Sequence, residues 1–260
     1  MPILKYVMDL NRNIFILWLQ GWDDAPEITK QCLASWEKLN PTWNIIKLSK
    51  DNLNDYMSVD DDIMHEIEVN PYLLKACQSN LIRTKLLSLH GGVWADSTTL
   101  CCLPLDEWLP NHLSDSFFCF PFVRPKEYAI SNWFIAAKKN HPIMNEWLER
   151  SIQCVRNLQK KVDPNNPAEY FWHHQLFDQM ILENQTMHTT WKHLDASIGK
   201  NVHAFTIGGN YTKKEIHSML AEPTPLFKLS YRLYDAFKDE SIVYLLSKVK
   251  ELRYHPPIKL

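Results

Sequence analysis

Asp96 is a single carboxylate placed where packing alone would not ask for one. It follows His90-Gly91-Gly92-Val93-Trp94-Ala95, in which a Gly-Gly break leads into a short apolar run, and it precedes Ser97, Thr98 and Thr99. A surface loop has no need of the apolar approach, and a buried strand would carry the charge only against something positive. Upstream, Asn80 and Arg83 lie three residues apart in a helical pattern and so share a face, offering an amide and a guanidinium side by side. His173-His174 lies in an aromatic helical segment. A helical metal pair needs a spacing of three or four, and adjacent histidines point apart, so one is expected to pack and the other to line a cleft. Gly208-Gly209 could pass a phosphate closely but lacks the strand–helix frame of a dinucleotide fingerprint.

These residues need a scaffold, and the apolar pattern supplies one. Asn13–Leu19 is a continuous apolar run suited to a strand buried on both faces. Pro26 opens a helix with Ile28, Cys32, Leu33, Trp36 and Leu39 at helical spacing, stopped by Asn40-Pro41, and Trp43–Leu48 is the next strand. Strand–helix–strand is the unit of a parallel α/β sheet. Asp51–Val69 reads as short helices with an acidic face. Pro71 is expected to open a longer helix with Leu74, Cys77, Leu81, Leu86 and Leu89 toward the core, ended by Gly91-Gly92. Val93-Trp94-Ala95 is then a strand, and Asp96 falls at its carboxyl end, the edge where open α/β sheets bind ligands. Beyond it come a short helix at Pro104–Leu109, strands at Phe117–Phe120 and Ala129–Ala136, helices at Pro142–Gln159 and Pro167–Asn184, and a helix-and-loop remainder ending in a C-terminal helix.

Composition narrows the function classes. The chain has 260 residues, long enough to bury a core without disulfides, and 28 basic against 30 acidic residues give no electrostatic case for nucleic acid. Lys138-Lys139 and Lys160-Lys161 are expected to be solvated helix faces. The six cysteines show neither a Cys-x-x-Cys pair nor zinc spacing and read as reduced thiols of a cytosolic chain, with Cys101 and Cys102 facing opposite sides of a strand. MPILKYVMDLNRN is too short and interrupted for a signal peptide, and no run reaches the length of a membrane span. Attachment to the inner face of a membrane stays open. With no repeat or linker, residues 1–260 read as one domain.

Several pieces together carry a family resemblance: WLQGWDDAP, SWEKLNPTW, SNLIRTKLLSLHGGVWADSTTL, PLDEWL, ISNWFIAAKKNHPIM, YFWHHQLFD and PLFKLSYRL. The run Ser79–Leu100 is the most specific, joining a helix with S-x-x-x-R to a Gly-Gly turn and an aspartate-ended strand. The sequence resembles the GT-A nucleotide-sugar glycosyltransferases, in the branch of the capsular polysaccharide synthesis proteins and the family-32 sugar transferases. The resemblance implies a GT-A (Rossmann-like) α/β fold, with a mixed, mainly parallel sheet flanked by helices and additional C-terminal helices. It implies a UDP-sugar donor, bound by a nucleotide-binding part at about residues 10–110, and a glycan or lipid-linked glycan acceptor, bound by an acceptor part at about 111–260. Asp96, Arg83 and Lys228 take catalytic roles on this reading, with Arg232 a substitute for Lys228. Trp18, Gln20, Gly21, Asn80, Ser97 and Thr98 bind the donor, and Asn132, Trp133 and His173 the acceptor.

Many GT-A enzymes hold a divalent ion at D-x-D to neutralise the departing diphosphate. Here the motif reads Asp96-Ser97-Thr98, and Asn80 stands where related enzymes often have Asp. One carboxylate with hydroxyl neighbours makes a weak Mn²⁺ or Mg²⁺ site at Asp96. The alternative is metal independence, with Lys228 as the cation. Retention is favoured over inversion, because no second carboxylate is evident; Asp178 and Glu183 read as helical, and Asp195 has no clear placement. Sugar-phosphate transfer, or a non-catalytic nucleotide-sugar or glycan-binding subunit, are the competing functions.

Overall fold

A computed structural model describes residues 10–58, 62–124, 127–206 and 208–254. The expectation for the extreme amino terminus, and part of the one for Asp51–Val69, lie outside the described residues. The first apolar run forms β1 (Asn13–Leu17), followed by α1 (Glu27–Leu39) and β2 (Asn44–Leu48). Pro26 is the N-cap of α1, and all five residues at the expected helical spacing are buried. After α2 (Asp62–Val69) comes α3 (Lys75–His90), which feeds β3 (Gly92–Ala95). β2 and β3 flank β1, both parallel to it. Then follow β4 (Thr99–Cys101), α4 (Leu105–Trp108), β5 (Phe117–Cys119) and β6 (Phe134–Ala137). The main sheet runs β2-β1-β3-β6-β5, and β6 is antiparallel to both its neighbours. Four strands therefore share one direction and β6 alone is reversed. The fold is a mixed, mainly parallel α/β sheet flanked by helices.

Burial on both faces explains why the strands read as unbroken apolar runs. Ile14, Ile16, Val93, Ala95, Phe134 and Ala136 belong to one hydrophobic cluster, with Trp36 and Leu39 of α1. The intervening Phe15, Leu17, Trp94 and Ile135 belong to the other, with Ile82 and Leu86 of α3. That second face is also covered by α5 (Pro142–Arg156), which supplies Trp147, and by α7 (Trp172–Glu183), which supplies Phe177 and follows the short α6 (Pro167–Tyr170). The chain then runs through α8 (Gln185–Lys192), α9 (Lys213–Ala221), β7 (Leu226–Lys228) and α10 (Glu240–Glu251). β7 pairs antiparallel with β4 in a separate two-stranded sheet, over a third cluster that includes Phe227, Leu245 and Leu246. Cys101 and Cys102 fall in different clusters, on opposite sides of the strand end, and all six cysteines are free thiols.

The Gly-Gly break is steric in origin. Gly91 and Gly92 have φ of +66° and +104°. A Cβ on Gly91 would run into the Lys139 backbone, and one on Gly92 would lie 2.5 Å from the Asn13 carbonyl oxygen. Only glycine lets α3 turn so sharply that β3 starts against β1.

Several boundaries differ from the sequence expectation. The helix expected from Pro71 begins at Lys75, because the Tyr72 N–H donates to the Asn70 side chain at 3.0 Å and holds a turn there. Leu89 is exposed, on the outer stripe of α3 with Gln78 and Lys85, while Leu87 packs inward. The strand expected from Ala129 starts at Phe134, since the Ser131 N–H and hydroxyl bond back to the Phe120 and Pro121 carbonyls. The helix expected over Pro142–Gln159 ends at Arg156, and the one over Pro167–Asn184 breaks at Phe171. Lys138-Lys139 and Lys160-Lys161 lie in connecting segments, not on helices.

Candidate active site

The chain leaves β1 toward β2 and comes back as β3 on the other side. The carboxyl ends of β1 and β3 thus border a crevice at a topological switch point. Reversed β6 brings its amino end to the same rim, where the Asp96 N–H donates to the Trp133 carbonyl at 2.8 Å. A cleft of about 1180 Å³ opens there.

Asp96 lies at the base of this cleft with its side chain 24% exposed. Its Oδ1 accepts from Trp94 Nε1 at 2.9 Å and faces Arg83 Nη2 at 3.1 Å. Its Oδ2 accepts from Lys228 Nζ at 2.9 Å. Burial pushes the carboxyl up, but the Lys228 and Arg83 charges and the donated hydrogen bonds outweigh it, so the pKa is held below the usual range. The positive charge that a strand-end carboxylate requires is therefore supplied from two directions.

Arg83 comes from α3 and is itself buried. It donates through Nε to the Ser79 carbonyl at 3.3 Å, through Nη2 to Ser79 Oγ at 3.1 Å, and through Nη1 to the Asn132 carbonyl. A guanidinium fork can satisfy helix, loop and carboxylate at once, which an ammonium could not. Lys228 comes from β7, whose ladder with β4 sets Thr99 opposite Lys228, and the Leu229 N–H donates to the Thr98 carbonyl at 2.9 Å. From that position Nζ also donates to Thr98 Oγ1 at 2.8 Å.

The remaining expected donor residues divide. Trp18, Gln20, Asn80, Ser97 and Thr98 line the cleft. Trp18 meets Tyr231 edge-on, with ring centroids 5.2 Å apart, and its Nε1 is buried with no partner among the described residues. Gly21 does not border the cleft, and its φ of +95° with its N–H donating to the Trp18 carbonyl at 3.1 Å makes it a turn residue.

Of the residues expected to bind the acceptor, Asn132 and Trp133 line the cleft, Trp133 stacked on Phe120 at 5.2 Å. His173 does not: it is fully buried and stacks on Trp147 at 4.0 Å. The Thr84 hydroxyl donates to the Asn80 carbonyl, so Thr84 Oγ1 accepts from His173 Nε2 at 3.2 Å, and His173 Nδ1 accepts from Asn132 Nδ2 at 3.0 Å. Burial, then the Arg83 charge, holds this histidine neutral, well below its ordinary pKa. It orients Asn132 and, in this fold, has no path to an acceptor. The cleft-lining partner is His174, ringed by Phe122, Tyr128 and Phe171, and lowered to about 3 chiefly by burial. Its Nδ1 is buried without a partner among the described residues. Adjacency of two histidines signalled one in and one out, but which one depends on the Trp147 stack. Ser79 was legible in the sequence only as the serine of S-x-x-x-R, and Tyr128 and Phe171 carried no signal of their own.

The donor set does not fit a divalent cation. Both Asp96 oxygens are already engaged by cations, and the cleft's other carboxylate, Glu127, is exposed and paired with Arg124 at 3.1 Å. Among the described residues, no group of three His, Cys, Asp or Glu converges as metal ligands would. Asp178, a candidate second carboxylate, instead accepts from the Ala129 N–H at 3.0 Å, and Glu183 pairs with Arg150 at 2.8 Å. Asp195 pairs with His112, away from the cleft.

Comparison with known proteins adds an independent line. The sequence model of the family described as "Capsular polysaccharide synthesis protein" matches residues 5–246. The chain is 27% identical over 168 residues to HOC1 of Saccharomyces cerevisiae, covering 56% of this chain and 41% of that protein. It is 25% identical over 161 residues to the O-glycosyltransferase braB of Annulohypoxylon truncatum, covering 56% of this chain and 38% of that one. The chain thus matches about two fifths of the length of these curated relatives. Among solved structures, the PaToxG glycosyltransferase superposes with a TM-score of 0.47 at 14% identity, over 95% of this chain and 88% of that one.

Proposed function

The chain belongs to the capsular polysaccharide synthesis protein family, and from that membership we propose that it is a glycosyltransferase. It moves a sugar from a nucleoside-diphosphate donor, UDP first among those to test, to a hydroxyl of a surface glycan or lipid-linked glycan. The observation that carries this reading is Asp96, held between Arg83 and Lys228 at the base of a large cleft at the switch point of the sheet. Carboxylate and amide oxygens suit sugar and ribose hydroxyls, whereas Lys228 and Arg232, both lining the cleft, suit a diphosphate.

In the transfer, the bond from the sugar's anomeric carbon to the diphosphate breaks and its electron pair stays on the phosphate oxygen. The acceptor hydroxyl oxygen bonds to that carbon, and its proton passes to the departing phosphate. We read the stereochemical course as retention. Inversion asks for a carboxylate base beside the acceptor, and neither Asp96, which is doubly ion-paired, nor Glu127, which is exposed, suits that role. The aromatic wall of Phe122, Tyr128 and Phe171 with neutral His174 would take the acceptor ring. We place the chain in the cytoplasm, where attachment to the inner face of a membrane would bring it to a lipid-linked acceptor; among the described residues, no helix is long and apolar enough to cross a membrane.

A thermal-shift screen of UDP-, GDP- and ADP-sugars tests the donor site, followed by NMR of the product's anomeric configuration. A donor-specific shift, together with release of nucleoside diphosphate that Asp96→Asn abolishes, is the expected result. No shift with any nucleotide sugar would sink the reading. A phosphodiester product would replace it with sugar-phosphate transfer, and binding without turnover over a broad acceptor panel would replace it with a binding subunit.

A further inference from the structure

We infer that the Lys228 ammonium occupies the position a divalent cation would take, so that this cleft binds a nucleoside diphosphate with protein cations and no metal. The inference rests on the donor reading above and goes beyond it in naming how the diphosphate charge is met. Asp96 and Thr98 are the carboxylate and one of the hydroxyl neighbours from which a weak divalent site would have to be built. Lys228 Nζ bridges those same two oxygens, at 2.9 Å from Asp96 Oδ2 and 2.8 Å from Thr98 Oγ1.

The position is built and not incidental. The β4–β7 ladder fixes Lys228 opposite Thr99, the Lys228 N–H donates to the Val202 carbonyl at 2.8 Å, and the side chain is only 16% exposed. A surface lysine swinging through solvent would have none of these restraints. The other carboxylate oxygen is committed to Arg83 and Trp94. A hard dication wants six or more oxygen ligands and would have to settle beside two fixed positive charges. Expelling Lys228 to make room would leave a largely shielded ammonium without its partner.

The chemistry is compatible with this substitution. An ammonium has three donors; Asp96 and Thr98 take two, which leaves one for a phosphate oxygen. Arg232 lines the same cleft and can add a second permanent charge. As the glycosidic bond breaks, charge growing on the diphosphate meets cations that are present whatever the metal supply.

Calorimetric titration of the whole protein with UDP, GDP and ADP in turn, once in EDTA and once in Mn²⁺, tests this directly. The expected result is binding of at least one diphosphate, with affinity changing less than about twofold between the two conditions. Lys228→Met, checked for folding by its melting curve, should lose about tenfold or more, as expected for a charge-assisted contact, and Lys228→Arg should keep most of the affinity. Mn²⁺ alone, followed by its EPR signal, should stay free in the presence of the protein. Binding that appears only with Mn²⁺, or Mn²⁺ captured by wild type but not by Asp96→Asn, overturns the inference and leaves the donor reading standing. No binding of any diphosphate in either condition overturns both.

Discussion

Lys228 Nζ lies 2.9 Å from Asp96 Oδ2, although 132 residues separate them in the sequence. Neither residue is near the other until β7 has paired with β4, so the charge at the base of the cleft is balanced only in the completed fold. The two side chains should therefore be energetically coupled. Asp96→Asn leaves Arg83 and Lys228 facing each other without a counter-charge, and Lys228→Met leaves Asp96 with one cation. Each single change should cost about 1–3 kcal/mol, below the full price of breaking a buried pair because Asp96 keeps partial solvent access. The double variant should be less destabilised than the sum of the two. Urea unfolding of all four proteins measures the coupling; strict additivity would mean that the pair contributes nothing.

Gly92 makes a separate claim about how Asp96 is delivered. With φ at +104° and the Asn13 carbonyl oxygen 2.5 Å from where a Cβ would stand, Gly92→Ala cannot be absorbed by a side-chain movement. It should cost more than about 2 kcal/mol, the range for a special backbone position combined with a steric clash. Gly21→Ala, at a positive φ but with open space around it, should cost less. Equal melting temperatures for the two variants would remove the steric account of the Gly-Gly break.

What could be read from the sequence was what depends on local pattern. The α1 stripe from Ile28 to Leu39, the Gly-Gly stop and the strand ending at Asp96 each follow from spacing within some twenty residues. Burial on both faces of the sheet was legible as well, because Ile14–Leu17 lacks any polar alternation. What failed was tertiary in cause. β7 is three residues long and gains strand character only from β4, so Leu226–Lys228 read as part of a loop. The break at Phe171 has neither proline nor glycine to announce it. Lys228 itself was singled out by family resemblance; no spacing could have placed it beside Asp96.

Buried neutral histidines give the stability a pH dependence whose sign can be stated. His141 is held at about 4 and His174 at about 3, and His173 lies well below its ordinary value, burial being the first cause in each. The unfolded chain titrates near ~6.5. Between ~6.5 and about 4, the unfolded state takes up protons that the folded state refuses. Stability is full above that window and falls as pH drops through it, by ~1.4 kcal/mol per pH unit for each histidine. Asp96 acts lower: its depressed pKa contributes stability above ~3.9 that is lost only on further acidification. Urea midpoints measured from pH 7 to pH 4.5 should decline steadily, and His174→Phe should make the decline shallower. A flat profile over that range would mean these imidazoles are not buried in neutral form.

His173 and His174 should separate cleanly when each is changed to phenylalanine. His173 accepts from Asn132 and donates to Thr84 inside a closed network, so His173→Phe removes one hydrogen bond from each of two buried polar partners. A loss of about 2–4 kcal/mol is expected from that desolvation, along with weaker donor binding, because Asn132 also touches Asn80 at 3.1 Å at the cleft wall. Among the described residues, His174 Nδ1 has no partner and three aromatic rings stand around the imidazole, so phenylalanine fits there without stranding a donor or acceptor. His174→Phe should fold at least as stably as wild type at neutral pH and keep its affinity for the nucleotide. Its effect should fall on KM for the acceptor, by roughly fivefold or more if the imidazole hydrogen-bonds an acceptor hydroxyl worth about 1 kcal/mol. The reverse pattern, with donor affinity lost in His174→Phe and acceptor KM unchanged, would move the acceptor away from the aromatic wall.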